Sequence, residues 1–212
     1  MKKIFVNLKD WLNLDENEDF SKQTLGLPIV IFPSLPYLYI YKERQNKIGV
    51  QNLCVYDSGA HTCSISIEHL KEFGVSWAIL NHREYRTLTK EALISKISTA
   101  LDKKINPIIC FENEDELEMI VDISKDLENF GDLYLAYEPA EDIAPECVKE
   151  IISKITKKTK NVIEGEVHLL YGGNVSLDNI DYYNRETNVD GFLISRHALQ
   201  VEELKRMVYL LK

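Results

Sequence analysis

The chain has 212 residues, 45% of them hydrophobic and 28% charged, with a formal net charge of −9. That length is enough for one large core, and the acidic balance lacks the basic surface that a nucleic-acid binder presents. No apolar run approaches the ~20 residues of a membrane helix, and Met1-Lys2-Lys3-Ile4-Phe5-Val6-Asn7 turns polar too soon for a signal-peptide core. Neither nucleic acid nor membrane is expected as a partner, and a cytoplasmic location is expected. Cys54, Cys63, Cys110 and Cys147 are widely spaced without a CxxC pair, the pattern of reduced thiols rather than of a disulfide framework or zinc site.

Short β-branched or aromatic runs alternate with longer charged segments of helical spacing. Strands are predicted at Lys3 to Lys9, Ile29 to Phe32, Ile48 to Asn52, Ser76 to Leu80, Pro107 to Phe111, Leu133 to Tyr137, Val167 to Tyr171 and Val189 to Ile194. Helices are predicted after them, at Asn17 to Thr24, Leu35 to Arg44, Ile67 to Phe73, Thr89 to Lys104, Asp115 to Phe130, Pro145 to Lys160, Leu177 to Arg185 and His197 to Leu211. Several strands are apolar on both faces, as in a parallel sheet covered by helices. Eight βα units suggest closure into a (β/α)8 barrel, one domain over residues 1–212, with an open doubly wound sheet as the structural alternative.

In such a barrel the chemistry sits where strands end. Strand 1 offers Asn7 and Lys9, two apart and so expected on one face. Strand 4 offers Asn81, His82 and then Glu84, strand 6 ends in Glu138, strand 7 in Gly172-Gly173-Asn174 and strand 8 in Ser195-Arg196. A cation, a neutral imidazole and a lone carboxylate at one mouth suit removal of a proton beside a carbonyl. The carboxylate takes the proton while imidazole and ammonium stabilise the oxyanion. Only one histidine is placed to serve a metal, so no metal site is expected. Each residue also has a plainer reading: Lys9 a solvated charge, His82 a bonded interior histidine, Glu138 a strand terminator, Gly172-Gly173 a tight turn. No role falls to His61, His69, His168 or His197.

The motifs, taken in order, resemble the triosephosphate isomerase family from Phe5 to the C-terminus. Asn7-Leu8-Lys9 looks like its N-x-K. Gln51-Asn52 followed by Ser58-Gly59-Ala60-His61-Thr62 is similar to its strand 3 end and dimer loop. Trp77-Ala78-Ile79-Leu80-Asn81-His82-Arg83-Glu84 resembles W-V-I-L-G-H-S-E, and Ile109-Cys110 matches the strand 5 cysteine. Ala136-Tyr137-Glu138-Pro139 matches A-Y-E-P, Tyr171 to Val175 resembles Y-G-G-S-V, and Val189 to Leu193 matches V-D-G-F-L. The resemblance implies a cofactor-free aldose–ketose isomerase acting on a small phosphorylated sugar. Glu138 would be the base, His82 the neutral electrophile, Lys9 with Asn7 beside it a holder of substrate charge, and Glu84 a support. Gly172, Gly173, Asn174, Ser195 and Arg196 would bind the substrate. A homodimer through Gly59 to Ser64 is implied as well.

The departures cluster. The family's V-W-A-I-G-T-G-K lid after strand 6 is here Ala140-Glu141-Asp142-Ile143-Ala144-Pro145, shorter and with two acids. Its strand 8 Gly-Gly pair is Ser195-Arg196, its strand 7 serine is Asn174, and its serine after the catalytic histidine is Arg83, expected to pair with the Glu138 carboxylate. Its dimer-loop acid is Ser64, and the arginine that the acid commonly pairs with is Tyr85. These changes leave two alternatives open: an isomerase of another small sugar or sugar phosphate, and a non-catalytic barrel that binds a ligand or partner.

Overall fold

The computed structural model describes residues 2–44, 46–62, 65–86, 89–127, 132–160, 162–163 and 165–212, the side chain of residue 160 excepted. Cys63, Ser64 and the expected helix end at Phe130 lie outside the described residues.

Among the described residues eight strands alternate with eight α-helices: β1 (Lys3–Asn7), α1 (Leu14–Gln23), β2 (Ile29–Phe32), α2 (Leu38–Glu43), β3 (Ile48–Val50), α3 (Ile67–Glu72), β4 (Val75–Leu80) and α4 (Lys90–Asp102) come first. Then follow β5 (Asn106–Phe111), α5 (Glu114–Asp126), β6 (Leu133–Tyr137), α6 (Pro145–Lys160), β7 (Val167–Tyr171), α7 (Ile180–Glu186), β8 (Gly191–Ile194) and α8 (Val201–Leu210). Neighbouring strands pair in parallel in chain order, and β1 pairs with β8, so the sheet closes on itself. The open-sheet alternative is excluded.

The strands alternate in the environment of successive side chains. Phe5, Val30, Phe32, Ile79, Ile108, Cys110, Tyr134, Ala136, Leu170 and Leu193 pack together, while their chain neighbours join a second cluster with residues from the helices. The period of two places the first set inside the ring and the second between ring and helices. The helices present matching stripes. In α5, Leu117, Ile120, Val121 and Ser124 are buried at helical spacing, and the Asn113 side chain caps the first turn by accepting the Glu116 N–H at 3.0 Å.

Several segments differ from expectation. α1 begins at Leu14 because Asn13 and Glu16 form a reciprocal capping box, which starts the helix earlier than the apolar pattern suggests. The segments at Leu35 and at Arg196 open as 3-10 turns, Leu35–Tyr37 and Arg196–Leu199, before α2 and α8. The last strand begins at Gly191 rather than Val189. Asp190 is used in the turn before it: its carboxylate accepts the Leu169 N–H at 2.8 Å and its carbonyl the Lys3 N–H at 3.1 Å. Lys9 does not continue β1. Its φ of 49° turns the chain out of the strand, so Asn7 and Lys9 do not share a strand face. Among the described residues, no helix is long and apolar enough to cross a membrane.

Gly191 stands at the seam where the ring closes, paired with Lys3 on one side and Leu170 on the other. A Cβ there would run into the Lys3 carbonyl oxygen. Gly191→Ala is therefore expected to lower unfolding stability by about 1–3 kcal/mol, the usual cost of overpacking, read by urea unfolding. An unchanged midpoint would show that the seam relaxes freely.

Candidate active site

The inward rows turn polar at their C-terminal ends. Asn7 follows Phe5, Asn81 follows Ile79, Glu138 follows Ala136, Gly172 follows Leu170 and Ser195 follows Leu193, each two residues on. Asn7, Lys9, His82, Glu84 and Glu138 line one cavity of about 420 Å³, and so do Gly172, Gly173, Asn174, Ser195 and Arg196. Ten residues from five different strands or strand-end loops thus converge on one mouth.

Two asparagines shape the rim. Asn81 and Asn174 have φ of 56° and 48°, the left-handed region in which Asn is better tolerated than most residues. Asn81 is further held by its Nδ2, which donates to the Cys110 carbonyl at 3.0 Å. Arg86 bonds the Asn81 carbonyl at 3.4 Å and pairs with Glu112 and Glu116 at 2.7 Å each, bracing the same turn from outside.

That turn delivers His82, which is 8% exposed. Its Nδ1 accepts the Glu84 N–H at 3.2 Å. With Nδ1 acting as acceptor, the ring proton of the neutral imidazole is assigned to Nε2. Nε2 lies 3.5 Å from Glu138 Oε1. Glu138 is 7% exposed, its main-chain N–H donates to the Phe111 carbonyl at 2.8 Å, and its Oε2 is buried without a hydrogen-bond partner. A Cβ on Gly172 would lie 2.9 Å from Glu138 Cγ, so a glycine there lets the carboxylate arm pass. Beneath it, burial and then the Glu138 charge push the Cys110 thiol well above its ordinary range, which keeps it protonated.

Across the mouth, Lys9 Nζ meets Glu84 Oε1 at 2.7 Å, and Asn7 Oδ1 accepts the Lys9 N–H at 3.1 Å. The Lys9 hydrogen bond is the main cause that holds the Glu84 carboxyl below its ordinary value. Gln51 donates to the Lys9 carbonyl at 2.7 Å and the Phe32 carbonyl at 3.0 Å, fixing the turn that strand 1 could not.

The anticipated pair between Arg83 and the Glu138 carboxylate is not formed. The guanidinium instead donates to main-chain carbonyls of Glu138, Pro139 and Ala140. On the far rim, Arg196 sits 5.7 Å from the Trp11 ring centroid, and the buried Ser195 Oγ has no partner. Asp142 accepts from Asn174 Nδ2 at 3.2 Å, and Asn174 Oδ1 contacts His197 Nε2 at 3.2 Å. The sequence assigns no site role to His197, Trp11, Gln51 or Arg86. The first follows the Ser195-Arg196 pair directly and the third ends a strand, but Trp11 and Arg86 carry no local signal.

Among the described residues, donors grouped at metal-binding spacing are Asp132, Glu166 and His168, within 4.8 Å of one another. They precede or open β6 and β7, at the opposite end of the barrel from Glu138, and both carboxylates are open to water.

A family model described as triosephosphate isomerase matches residues 2–211. Among curated relatives, a triosephosphate isomerase of Wolbachia sp. subsp. Brugia malayi is 32% identical, covering 98% of this chain and 91% of its own length. Those of Colwellia psychrerythraea and Yarrowia lipolytica are 28% and 30% identical, over 84% and 82% of this chain and 82% and 81% of their own lengths.

Because its carboxyl is held low in the folded state, Glu84 contributes stability that is complete above its ordinary value of 4.5 and is lost as pH falls through the lowered value. The carboxylate is 60% exposed, so the contribution is small. A carbon-detected NMR titration is expected to place the Glu84 midpoint below 4.5 and to move it upward in Lys9→Met. A midpoint unmoved by that change would mean that the pair does not persist in solution.

Proposed function

The chain belongs to the triosephosphate isomerase family, and on that premise we propose that it interconverts glyceraldehyde 3-phosphate and dihydroxyacetone phosphate through an enediolate. Substrate and product are isomers, so no cofactor enters the balance. Glu138 removes the proton from the carbon beside the carbonyl and returns it to the neighbouring carbon. His82 donates its Nε2–H to the carbonyl oxygen and then to the enediolate oxygen, and the Lys9 ammonium adds a positive field on the same side. Asn7 and Glu84 hold Lys9 in place. Gly172, Gly173, Asn174, Ser195 and Arg196 take the distal phosphate, Ser195 with a free hydroxyl and Arg196 with a charge-assisted fork.

One observation carries this reading. His82 Nε2 lies 3.5 Å from Glu138 Oε1, and Oε2 is buried without a hydrogen-bond partner among the described residues. A desolvated carboxylate oxygen with nothing donating to it is suited to accept a proton. Asp142, bonded to Asn174 on the phosphate rim, favours a second reading, a short sugar phosphate whose distal group carries less charge. The non-catalytic alternative rested on a guanidinium pairing with the base, and Arg83 bonds carbonyls instead.

We further propose that residues 1–212 act as one domain in the cytoplasm and pair as a homodimer through Gly59 to Ser64. In support, His61 of this segment stacks on Tyr56 at 4.4 Å on the surface, beside a cavity of about 680 Å³ with Leu35, Val55, Tyr56 and Tyr85 on its walls.

Purified protein is expected to isomerise glyceraldehyde 3-phosphate and Glu138→Gln to lose that turnover. Equal rates in the two would remove Glu138 as the base. Glu138→Asp, which withdraws the carboxylate by one methylene, is expected to lower kcat by about 10²-fold. Sedimentation equilibrium at micromolar concentration is expected to give twice the chain mass, and a monomer would exclude pairing through this loop.

A further inference from the structure

We propose that Arg83 is a positioning residue that fastens the chain around the base, holding Glu138 against His82 by gripping three successive main-chain carbonyls. Glu138 is the last residue of its strand row to bond the sheet, through its N–H to Phe111. Pro139 follows and has no N–H to give. The carbonyls of Glu138, Pro139 and Ala140 thus leave the ladder together, and no main-chain N–H among the described residues reaches them. Arg83 supplies the missing donors. Its Nη2 bonds the Glu138 carbonyl at 3.1 Å and, more closely, the Pro139 carbonyl, and its Nη1 reaches the Ala140 carbonyl at 3.4 Å. A planar fork with several N–H groups can serve three acceptors in a row, which an ammonium on a flexible stem cannot do with the same geometry.

The consequence for the base follows from what else holds it. Glu138 Oε2 has no hydrogen-bond partner among the described residues, and Oε1 lies 3.5 Å from the imidazole Nε2. The location of the carboxylate is therefore set by its own main chain and by the bare face of Gly172. Arg83 is also the residue immediately after His82, which caps the short turn Arg83–Tyr85. One segment thus carries the imidazole and, one residue on, the clamp that sets the carboxylate opposite it. The register between electrophile and base is closed by a single side chain.

The proposal rests on the isomerase reading for its kinetic consequence, whereas the fastening itself can be read without turnover. Full-length Arg83→Ser and Arg83→Lys are compared with the unaltered protein by amide hydrogen exchange over residues 138–147 and by kcat and KM for glyceraldehyde 3-phosphate. In Arg83→Ser, exchange in that segment is expected to quicken, kcat to fall by about 10²-fold and KM to stay within about threefold, the split expected when geometry rather than binding is lost. Arg83→Lys, which keeps the charge without the fork, is expected to recover only part of kcat. Unchanged exchange in Arg83→Ser would overturn the clamp, whatever the turnover. A raised KM at constant kcat, or faster exchange at constant kcat, would overturn the positioning role, the former by making Arg83 a substrate-binding cation. If the unaltered protein does not turn over this substrate, the isomerase reading falls, and the exchange comparison alone decides the clamp.

Discussion

Closing eight parallel strands into a ring points every second side chain at one axis, and everything at the active mouth follows from that. Along the axis the inward rows are apolar, with Phe5, Val30, Ile79, Ile108 and Leu170 packing on one another. The packing ends where the strands end, and the next inward residue on five of them is Asn7, Asn81, Glu138, Gly172 or Ser195. A polar side chain in the middle of a row would be buried unpaired at a cost of several kcal/mol. At the top of the row it meets the cavity instead. The apolar filling therefore serves as the floor that desolvates Glu138 from below, and it keeps the Cys110 thiol protonated there.

On that floor, main-chain groups do much of the ordering. The Glu84 N–H occupies His82 Nδ1 and so selects the ring proton that faces Glu138. Gln51 holds the Lys9 carbonyl, and Arg83 holds the carbonyls of Glu138, Pro139 and Ala140. Such bonds place side chains through their own backbone. The exposed Lys9–Glu84 pair is different in kind. It is screened by water and contributes little to stability, yet it keeps an ammonium at the mouth of the cavity.

The departures from the family pattern take on distinct physical meanings in three dimensions. Asn81 and Asn174 stand at positive φ, where a side chain with a short polar arm is tolerated, so the backbone path survives these changes. Ser195 and Arg196 change the chemistry of the far rim from bare main chain to hydroxyl and guanidinium. Arg83, one residue from the imidazole, reads in sequence as a partner for the nearest acid. A guanidinium goes where acceptors lack donors, and three carbonyls leaving the sheet offered more than one carboxylate already facing a histidine.

The sequence by itself determined the alternation of strands and helices, because hydrophobic period is a local property that survives without any tertiary contact. β2, β6, α6 and β7 were legible to the residue, and the ten residues that converge on the cavity, Glu138 among them, were legible as strand-end positions, sharpened by the motif resemblance. Local signals were lost where caps compete with pattern, as at Asn13, and where a turn interrupts a run, as at Lys9 and Asp190. Only the tertiary structure decided ring over open sheet, since closure depends on β1 meeting β8, nearly the full chain length away. It also decided which acceptors Arg83 serves, that Arg86 pairs with Glu112 and Glu116, and that Trp11 lies beside Arg196. These are contacts between residues remote in sequence, and pairing of that kind is set by distance and exposed hydrogen-bonding capacity in the folded state, which no local pattern encodes.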